Sequence, residues 1–305
     1  MSYPFKPFDI SRSADYRRWR EHKLADYPQQ AAQLVVPVTD PAELDAHEAA
    51  AVLACCRKAN MAIYRTTGTR AADKHAVRAL GRRFGLERLD MNLRADEDSI
   101  TSLRVVPAGV ATHYIPYTDN AINWHTDGYY NRPQEQVRGI VMHCVRPAAG
   151  GGGNLLMDPE MVYLLLRDEN PDWAAALMQP DAMTIPANIE DGVEIRPAQT
   201  GPVFSVENDT GSLHMRYTTR TRSIVWKDDR NIRLAVGFIR ELLDSESPWI
   251  FRYRLQAGEG IICNNVLHGR EAFEDAGDAT RLLYRARYHD RMKGTEMTTV
   301  TDGLQ

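Results

Sequence analysis

The residues best placed to do chemistry lie in the segment Asn123-Trp124-His125-Thr126-Asp127-Gly128-Tyr129-Tyr130. His125 and Asp127 are two apart, and on an extended strand side chains two apart share a face. A neutral imidazole and a carboxylate on one face can bind the same divalent metal. A second histidine from elsewhere would complete the two-histidine, one-carboxylate donor set typical of non-haem Fe(II) sites. A surface histidine beside a turn aspartate has the same local sequence, so the pair alone leaves that reading open.

The C-terminal third supplies a second histidine in a suitable setting. A tight turn at Ala257-Gly258-Glu259-Gly260 leads into the apolar run Ile261-Ile262-Cys263, and Asn264-Asn265-Val266-Leu267-His268-Gly269-Arg270 puts His268 at a strand end. Two arginines four apart, Arg281 and Arg285, follow in Arg281-Leu282-Leu283-Tyr284-Arg285-Ala286-Arg287-Tyr288. Other candidates have plainer explanations. His113, His143, His214 and His289 lack such a context, and His143 lies mid-strand as a core residue would. Cys263 is expected to be buried and inert. Trp124, Tyr129 and Tyr130 flank the His/Asp pair and suit either a substrate pocket or ordinary packing. Arg216 and Arg220 suit either an anion contact or a structural ion pair, and Arg270 either a substrate contact or a loop anchor. The run Gly150-Gly151-Gly152-Gly153-Asn154 lacks the Gly-Lys-Ser/Thr ending of a phosphate loop.

These residues must be positioned by a scaffold. Thr39-Asp40-Pro41-Ala42-Glu43 predicts a helix start, with Ala49, Val52, Leu53 and Cys56 on one apolar face and Asn60 as the stop. A short strand at 61–64 follows, then a helix from about Ala71 to Phe84 ended by Gly85. Leu86 to Asn123 has weak periodicity and reads as a long excursion with one or two strands, a length that is often functional. Residues 138–145 form an apolar run expected of a central strand. Asp158-Pro159 and Asn170-Pro171 each begin a helix. A longer helix spans Asp228 to Leu243, with Ile232, Leu234, Val236, Ile239 and Leu243 as core positions. Strands follow at 250–255, 261–264 and 282–288. Helices first and short strands later predict a β-sandwich with helices packed outside.

Composition narrows the function. The chain has 305 residues, 43% hydrophobic and 26% charged, which suits a soluble globular protein. Lys plus Arg is 37 against 41 Asp plus Glu, a net charge of −4. Nucleic-acid binding needs a basic face, and the densest basic patch, Arg17, Arg18 and Arg20 beside Asp15 and Glu21, reads as a solvated helix face. Four cysteines are too few for a disulfide framework. With neither a signal-like N-terminus nor an apolar stretch of ~18 residues, a cytoplasmic protein without membrane partners is expected.

The combination of His125, Asp127, His268 and the Arg281/Arg285 pair resembles the TauD/TfdA group of Fe(II)/2-oxoglutarate-dependent dioxygenases, over about residues 40 to 290. The resemblance implies an α+β, mainly β fold. Its core would be a double-stranded β-helix (a jelly-roll of the clavaminate synthase type) with flanking helices. It implies one domain over 1–305, with a helical N-terminal segment, 1–85, packed on a core at 86–290. His125, Asp127 and His268 would hold Fe(II). Arg285 would pair with the distal carboxylate of 2-oxoglutarate, and Arg281 would lie near its metal-side carboxylate. Asn154 stands where the family often has a threonine that hydrogen-bonds the cosubstrate, and its amide can also donate. Trp124, Tyr129, Tyr130, Arg216 and Arg270 are the candidate substrate contacts. O2 would complete the reaction, with succinate and CO2 released. Halogenating relatives lack the carboxylate ligand, so Asp127 favours hydroxylation of a small molecule. The resemblance also implies a homo-oligomer. A catalytically silent jelly-roll would not need all four of these groups. A metal-dependent hydrolase or isomerase using the same ligands would not explain the arginine pair.

Overall fold

Two sheets face each other in the computed structural model, which describes residues 5–69, 73–91, 98–105, 115–220, 224–276 and 280–297. The larger sheet has six strands in the order Val35–Val38, Met61–Thr66, Glu259–Cys263, Gly139–Arg146, Leu282–Tyr288, Thr101–Leu103. The first two pair in parallel and the others antiparallel. The smaller has four antiparallel strands in the order Phe251–Tyr253, Asn154–Met157, Leu267–Arg270, Ile122–His125. This is the expected jelly-roll, α+β and mainly β.

Strand alternation explains how one sequence serves two cores. Met61, Ile63, Ile140, Ile261, Cys263 and Leu283 point between the sheets. Their neighbours Ala62, Tyr64, Val141, Ile262, Ala286 and Tyr288 point to the other face, where Val52 and Cys56 of helix Ala46–Ala59 and Val77 and Leu80 of helix Lys74–Arg83 cover them. A strand buried on both faces has no polar alternation, which is why 138–145 reads as a continuous apolar run.

Local signals set the helix ends, with some differences from expectation. The first predicted helix begins at Ala46, not at Pro41. Asp45 accepts from the Glu48 N–H at 2.8 Å and the Glu48 carboxylate returns to the Asp45 N–H at 3.0 Å. That reciprocal cap outcompetes Asp40-Pro41, which forms a turn. Asn60 ends the helix at φ 57°. The next helix is capped by Asp73 and runs Lys74–Arg83. Pro159–Glu169 and Pro171–Leu177 start where predicted. In helix Arg230–Asp244, Leu234 is exposed and Ala235 takes the buried place, because the apolar stripe follows 232, 235, 236, 239 and 243. The 86–123 excursion contributes the edge strand Thr101–Leu103 and a helical turn at Ile115–Tyr117. His113 and the remainder of that excursion, 92–97 and 106–114, lie outside the described residues.

The segment 1–85 is not only helical, since Val35–Val38 and Met61–Thr66 are strands of the larger sheet, and a buried polar cluster ties its helices to the rest. Lys23 Nζ lies 2.7 Å from Asp158 and 2.6 Å from Glu160. Asn60 donates to Asp158 at 2.9 Å and accepts from Arg291 at 2.7 Å and from Asn264 at 3.0 Å. Removing one member would strand the others in a low-dielectric interior.

Candidate metal centre

His125 and His268 face each other directly across the smaller sheet, in register, with ring centroids 4.3 Å apart. Asp127 lies just past the end of the His125 strand, and its Oδ1 is 3.8 Å from His125 Nε2. One ligand atom from each of His125, Asp127 and His268 falls within 4.8 Å of the others, and no other such group occurs among the described residues.

The surroundings fix the state of each ligand. His125 Nδ1 is 2.9 Å from the Asn123 carbonyl and His268 Nδ1 is 2.8 Å from the Val266 carbonyl. A carbonyl only accepts, so each Nδ1 carries the proton and each Nε2 keeps a lone pair for metal. Burial, then the neighbouring His268, pushes His125 down to about 3, and burial also lowers His268. Burial alone would raise the Asp127 carboxyl, but Arg285 and Arg287 outweigh it and hold the group well below the usual carboxylate range. At neutral pH the site therefore offers two neutral imidazoles and one carboxylate. Asp127 Oδ2 is buried with no hydrogen-bond partner. A buried carboxylate and two free imidazole lone pairs, with one ligand atom of each residue within 4.8 Å of the others, fit a divalent cation.

The strand Leu282–Tyr288 brings the arginines. Its period of two sends Leu283, Arg285 and Arg287 inward and Ala286 and Tyr288 to the helices. Arg285 Nη1 is 3.3 Å from Asp127 Oδ2. Arg287 Nη1 is 3.6 Å from Asp127 Oδ1 and donates to the Tyr130 hydroxyl at 3.1 Å. Arg287 also pairs with Asp90, which accepts from Asn131 at 3.1 Å. Neither Arg287 nor Asp90 is a candidate from sequence alone. The alternation that places Arg285 inside places Arg287 inside as well, and that signal is present in the sequence.

A cavity opens beside the three ligands. His125, His268 and Arg285 line it with Asn154, Arg270 and Arg281, between apolar walls that include Leu156 and Ile261. Asn154 and Arg270 are register partners on adjacent strands, and Arg270 and Arg281 both lie over the Phe273 ring, at 4.8 and 4.9 Å. These three therefore cluster away from Asp127. Arg281 and Arg285 are four positions apart, roughly 13 Å along an extended chain. The resemblance gives the later arginine to the distal carboxylate of the cosubstrate. Here the later arginine stands against Asp127 and the earlier one stands in the far cluster, where its guanidinium forms no ion pair among the described residues while its backbone N–H donates to Asp275 Oδ1 at 2.9 Å.

The remaining candidates separate by their contacts. Asn154 is buried and donates to the Tyr253 carbonyl at 3.1 Å, leaving one amide N–H for a ligand. Arg270 donates to the carbonyls of Thr118, at 2.7 Å, and Asn120, and burial brings it down to about 9. Arg216 is 5% exposed and its donors go to the carbonyls of Met183, Gly201, Gln199 and Pro202. It ties the strands of the 183–226 segment together, with four of its five N–H donors on those carbonyls. Trp124 and Tyr129 are core residues, while Tyr130 is half-buried and held by Arg287. His143 bonds to the Tyr64 hydroxyl at 3.0 Å and His214 is buried, both away from the ligands. Cys263 lines the cavity with its thiol pushed up to about 12 by burial. At Gly151, φ 67°, a Cβ would meet the Ala272 carbonyl at 2.3 Å, so the glycine run serves a close strand approach.

Three comparisons bear on this geometry. The profile of the "Taurine catabolism dioxygenase TauD, TfdA family" matches residues 23–287. A uridine-5'-phosphate dioxygenase from Amycolatopsis sp is 33% identical over 171 residues, covering 54% of this chain and 60% of that enzyme. One from Streptomyces sp is 30% identical over 211 residues, covering 66% and 73%. A solved structure, a putative alpha-ketoglutarate-dependent taurine dioxygenase from Burkholderia xenovorans, superposes with a TM-score of 0.58 at 18% identity, over 86% of this chain and 88% of that one.

Proposed function

The chain belongs to the TauD/TfdA family of dioxygenases, and from that premise we propose that it is a non-haem Fe(II)/2-oxoglutarate-dependent dioxygenase acting on a small molecule. One observation carries the reading: ligand atoms of His125, Asp127 and His268 converge within 4.8 Å, and the two histidines line a cavity with Arg281, Arg270 and Asn154. His125, Asp127 and His268 hold the metal. Bound there, Fe(II) with 2-oxoglutarate would let O2 oxidise a C–H bond of the substrate, one oxygen atom going to the new hydroxyl and the other to succinate as CO2 leaves.

The protein's own contribution is placement and charge. The two carbonyls behind the imidazoles hold both Nε2 lone pairs toward the metal. Arg285 and Arg287 keep Asp127 ionised. Arg281, with Arg270 and Asn154, receives the distal carboxylate, because a guanidinium meets a carboxylate through two parallel hydrogen bonds. The apolar walls exclude water from the reacting end.

The substrate is a nucleoside monophosphate of the uridine 5'-phosphate kind, a reading supported by the two similar enzymes named for it. Among the described residues no helix is long and apolar enough to cross a membrane. A cytoplasmic homo-oligomer belongs to the same proposal. The test is succinate release with Fe(II), 2-oxoglutarate and oxygen in the presence of uridine 5'-monophosphate, uridine or taurine. The monophosphate should stimulate release well above the uncoupled rate and uridine should not. Stimulation by taurine alone would replace the substrate assignment.

A further inference from the structure

We propose that Asn265 is a positioning residue of the metal centre, holding Asp127 in place by gripping its backbone from the strand connection that carries His268. The inference rests on the metal reading above and concerns how the carboxylate is fixed. Asp127 lies beyond the end of its strand and before Gly128, which has φ 67°. No ladder pairing holds it there. Its N–H donates to Asn265 Oδ1 at 2.8 Å, and its carbonyl accepts from Asn265 Nδ2 at 2.9 Å. Both hydrogen-bonding groups of this backbone residue thus go to one side chain. The second N–H of the same amide goes to the Val137 carbonyl at 2.6 Å, just before the strand Gly139–Arg146.

The base of the clamp is fixed in turn. Asn265 is 2% exposed and has φ 48°, a left-handed conformation that asparagine tolerates better than most residues. Its neighbour Asn264 donates to Asn60 at 3.0 Å and to Thr295 at 3.0 Å, and accepts from the Met292 N–H at 3.1 Å. His268 follows three residues later. One short piece of chain therefore carries a histidine ligand and grips the carboxylate ligand, fixing their separation. The carboxylate itself has only long contacts, a hydrogen bond from Arg285 Nη1 to Oδ1 at 3.4 Å and guanidinium approaches of 3.3 and 3.6 Å from Arg285 and Arg287, which stabilise its charge while the clamp fixes the backbone that carries it. Metal affinity depends on ligand placement within a few tenths of an ångström, and partners that orient the ligands commonly change it by 10–100-fold.

The experiment is a titration with Co(II) in place of Fe(II), read by the d–d absorption and by affinity, together with apoprotein melting. Asn265→Gly keeps the left-handed backbone and empties the clamp. Asn265→Asp keeps the shape and the acceptor but turns an oxygen toward two carbonyls, and it decides the question equally well should Asn265→Gly not fold. Val52→Ala, a core truncation on helix Ala46–Ala59 remote from the ligands, is the destabilised control. Both Asn265 variants should bind Co(II) about 10–100-fold more weakly with an altered d–d spectrum. Val52→Ala should melt lower yet keep wild-type affinity and spectrum. Lower melting of the Asn265 variants with wild-type Co(II) affinity and spectrum would make Asn265 a purely structural residue and overturn the proposal. Failure of the wild-type protein to bind Co(II) is a separate outcome, which removes the metal reading and this proposal with it.

Discussion

Exchanging each of the two arginines in turn gives opposite results under the two assignments. Arg281 is 5% exposed and lies in the far cluster with Arg270 and Asn154, and its guanidinium forms no ion pair among the described residues. Hydrogen bonds to charged groups contribute about 1.5–3 kcal/mol each. A two-pronged guanidinium–carboxylate pair at a buried position should therefore contribute about 3 kcal/mol or more, and about 1.4 kcal/mol is a factor of ten. Arg281→Met should weaken 2-oxoglutarate binding by about 100-fold or more while leaving metal affinity near wild type. Arg285→Met removes the charge 3.3 Å from Asp127 Oδ2, so its main effect should fall on metal affinity and on the carboxyl pKa, which should rise. The assay is an anaerobic titration of the metal-loaded protein with 2-oxoglutarate, alongside a separate metal titration. Near-normal cosubstrate binding in Arg281→Met, with the loss appearing in Arg285→Met, would refute the geometric assignment and restore the order implied by the family resemblance.

Asp127→Ala should abolish succinate formation, since two histidines alone do not complete the donor set; full turnover in this variant would disprove the triad. Arg216→Met should lower the denaturant midpoint, by about 2–4 kcal/mol of stability for its stranded carbonyls, with 2-oxoglutarate affinity unchanged. A selective loss of ligand binding at unchanged stability would instead make it an anion contact. Acid should destabilise the fold through His214, which burial, with Arg138, Arg291 and Arg216 nearby, pushes down to about 3. Between pH ~6.5 and 3 the unfolded chain binds this proton and the folded one does not, so stability is full above ~6.5 and falls by up to about 1.4 kcal/mol per pH unit below it. His214→Leu should flatten that slope in urea titrations at pH 5 and 7, and an unchanged slope would show that His214 does not drive it.

The features legible in the sequence are those set by local rules. The turn at Gly258, the two Pro-initiated helices and the strand 282–288 depend on neighbours in the chain, and the structure agrees with the sequence at each; His125 and Asp127 do converge, but Asp127 lies in the turn past the strand and not on it. The first helix starts later than predicted because two Asp-x-x-Glu cap signals compete within six residues, and the reciprocal capping box closes at Asp45 and Glu48. Leu234 falls outside the core because a helix stripe admits either of two adjacent positions, and packing against the neighbouring helices selects Ala235. The clamp of Asn265 on Asp127 spans 138 residues, and nothing local announces it. The same holds for Arg216, whose four carbonyl partners come from a segment that only folding assembles. The arginine order is intermediate. Alternation tells which residues face inward, but which of them reaches Asp127 depends on how the two sheets are set against each other.

The most direct test of the account is optical. Fe(II) and 2-oxoglutarate added together under anaerobic conditions should produce a visible metal-to-ligand charge-transfer band in the wild-type protein. The band should be lost in Asp127→Ala and need far more 2-oxoglutarate in Arg281→Met. Its absence from the wild-type protein at saturating Fe(II) and 2-oxoglutarate would contradict the central claim that these residues form a 2-oxoglutarate-dependent iron site.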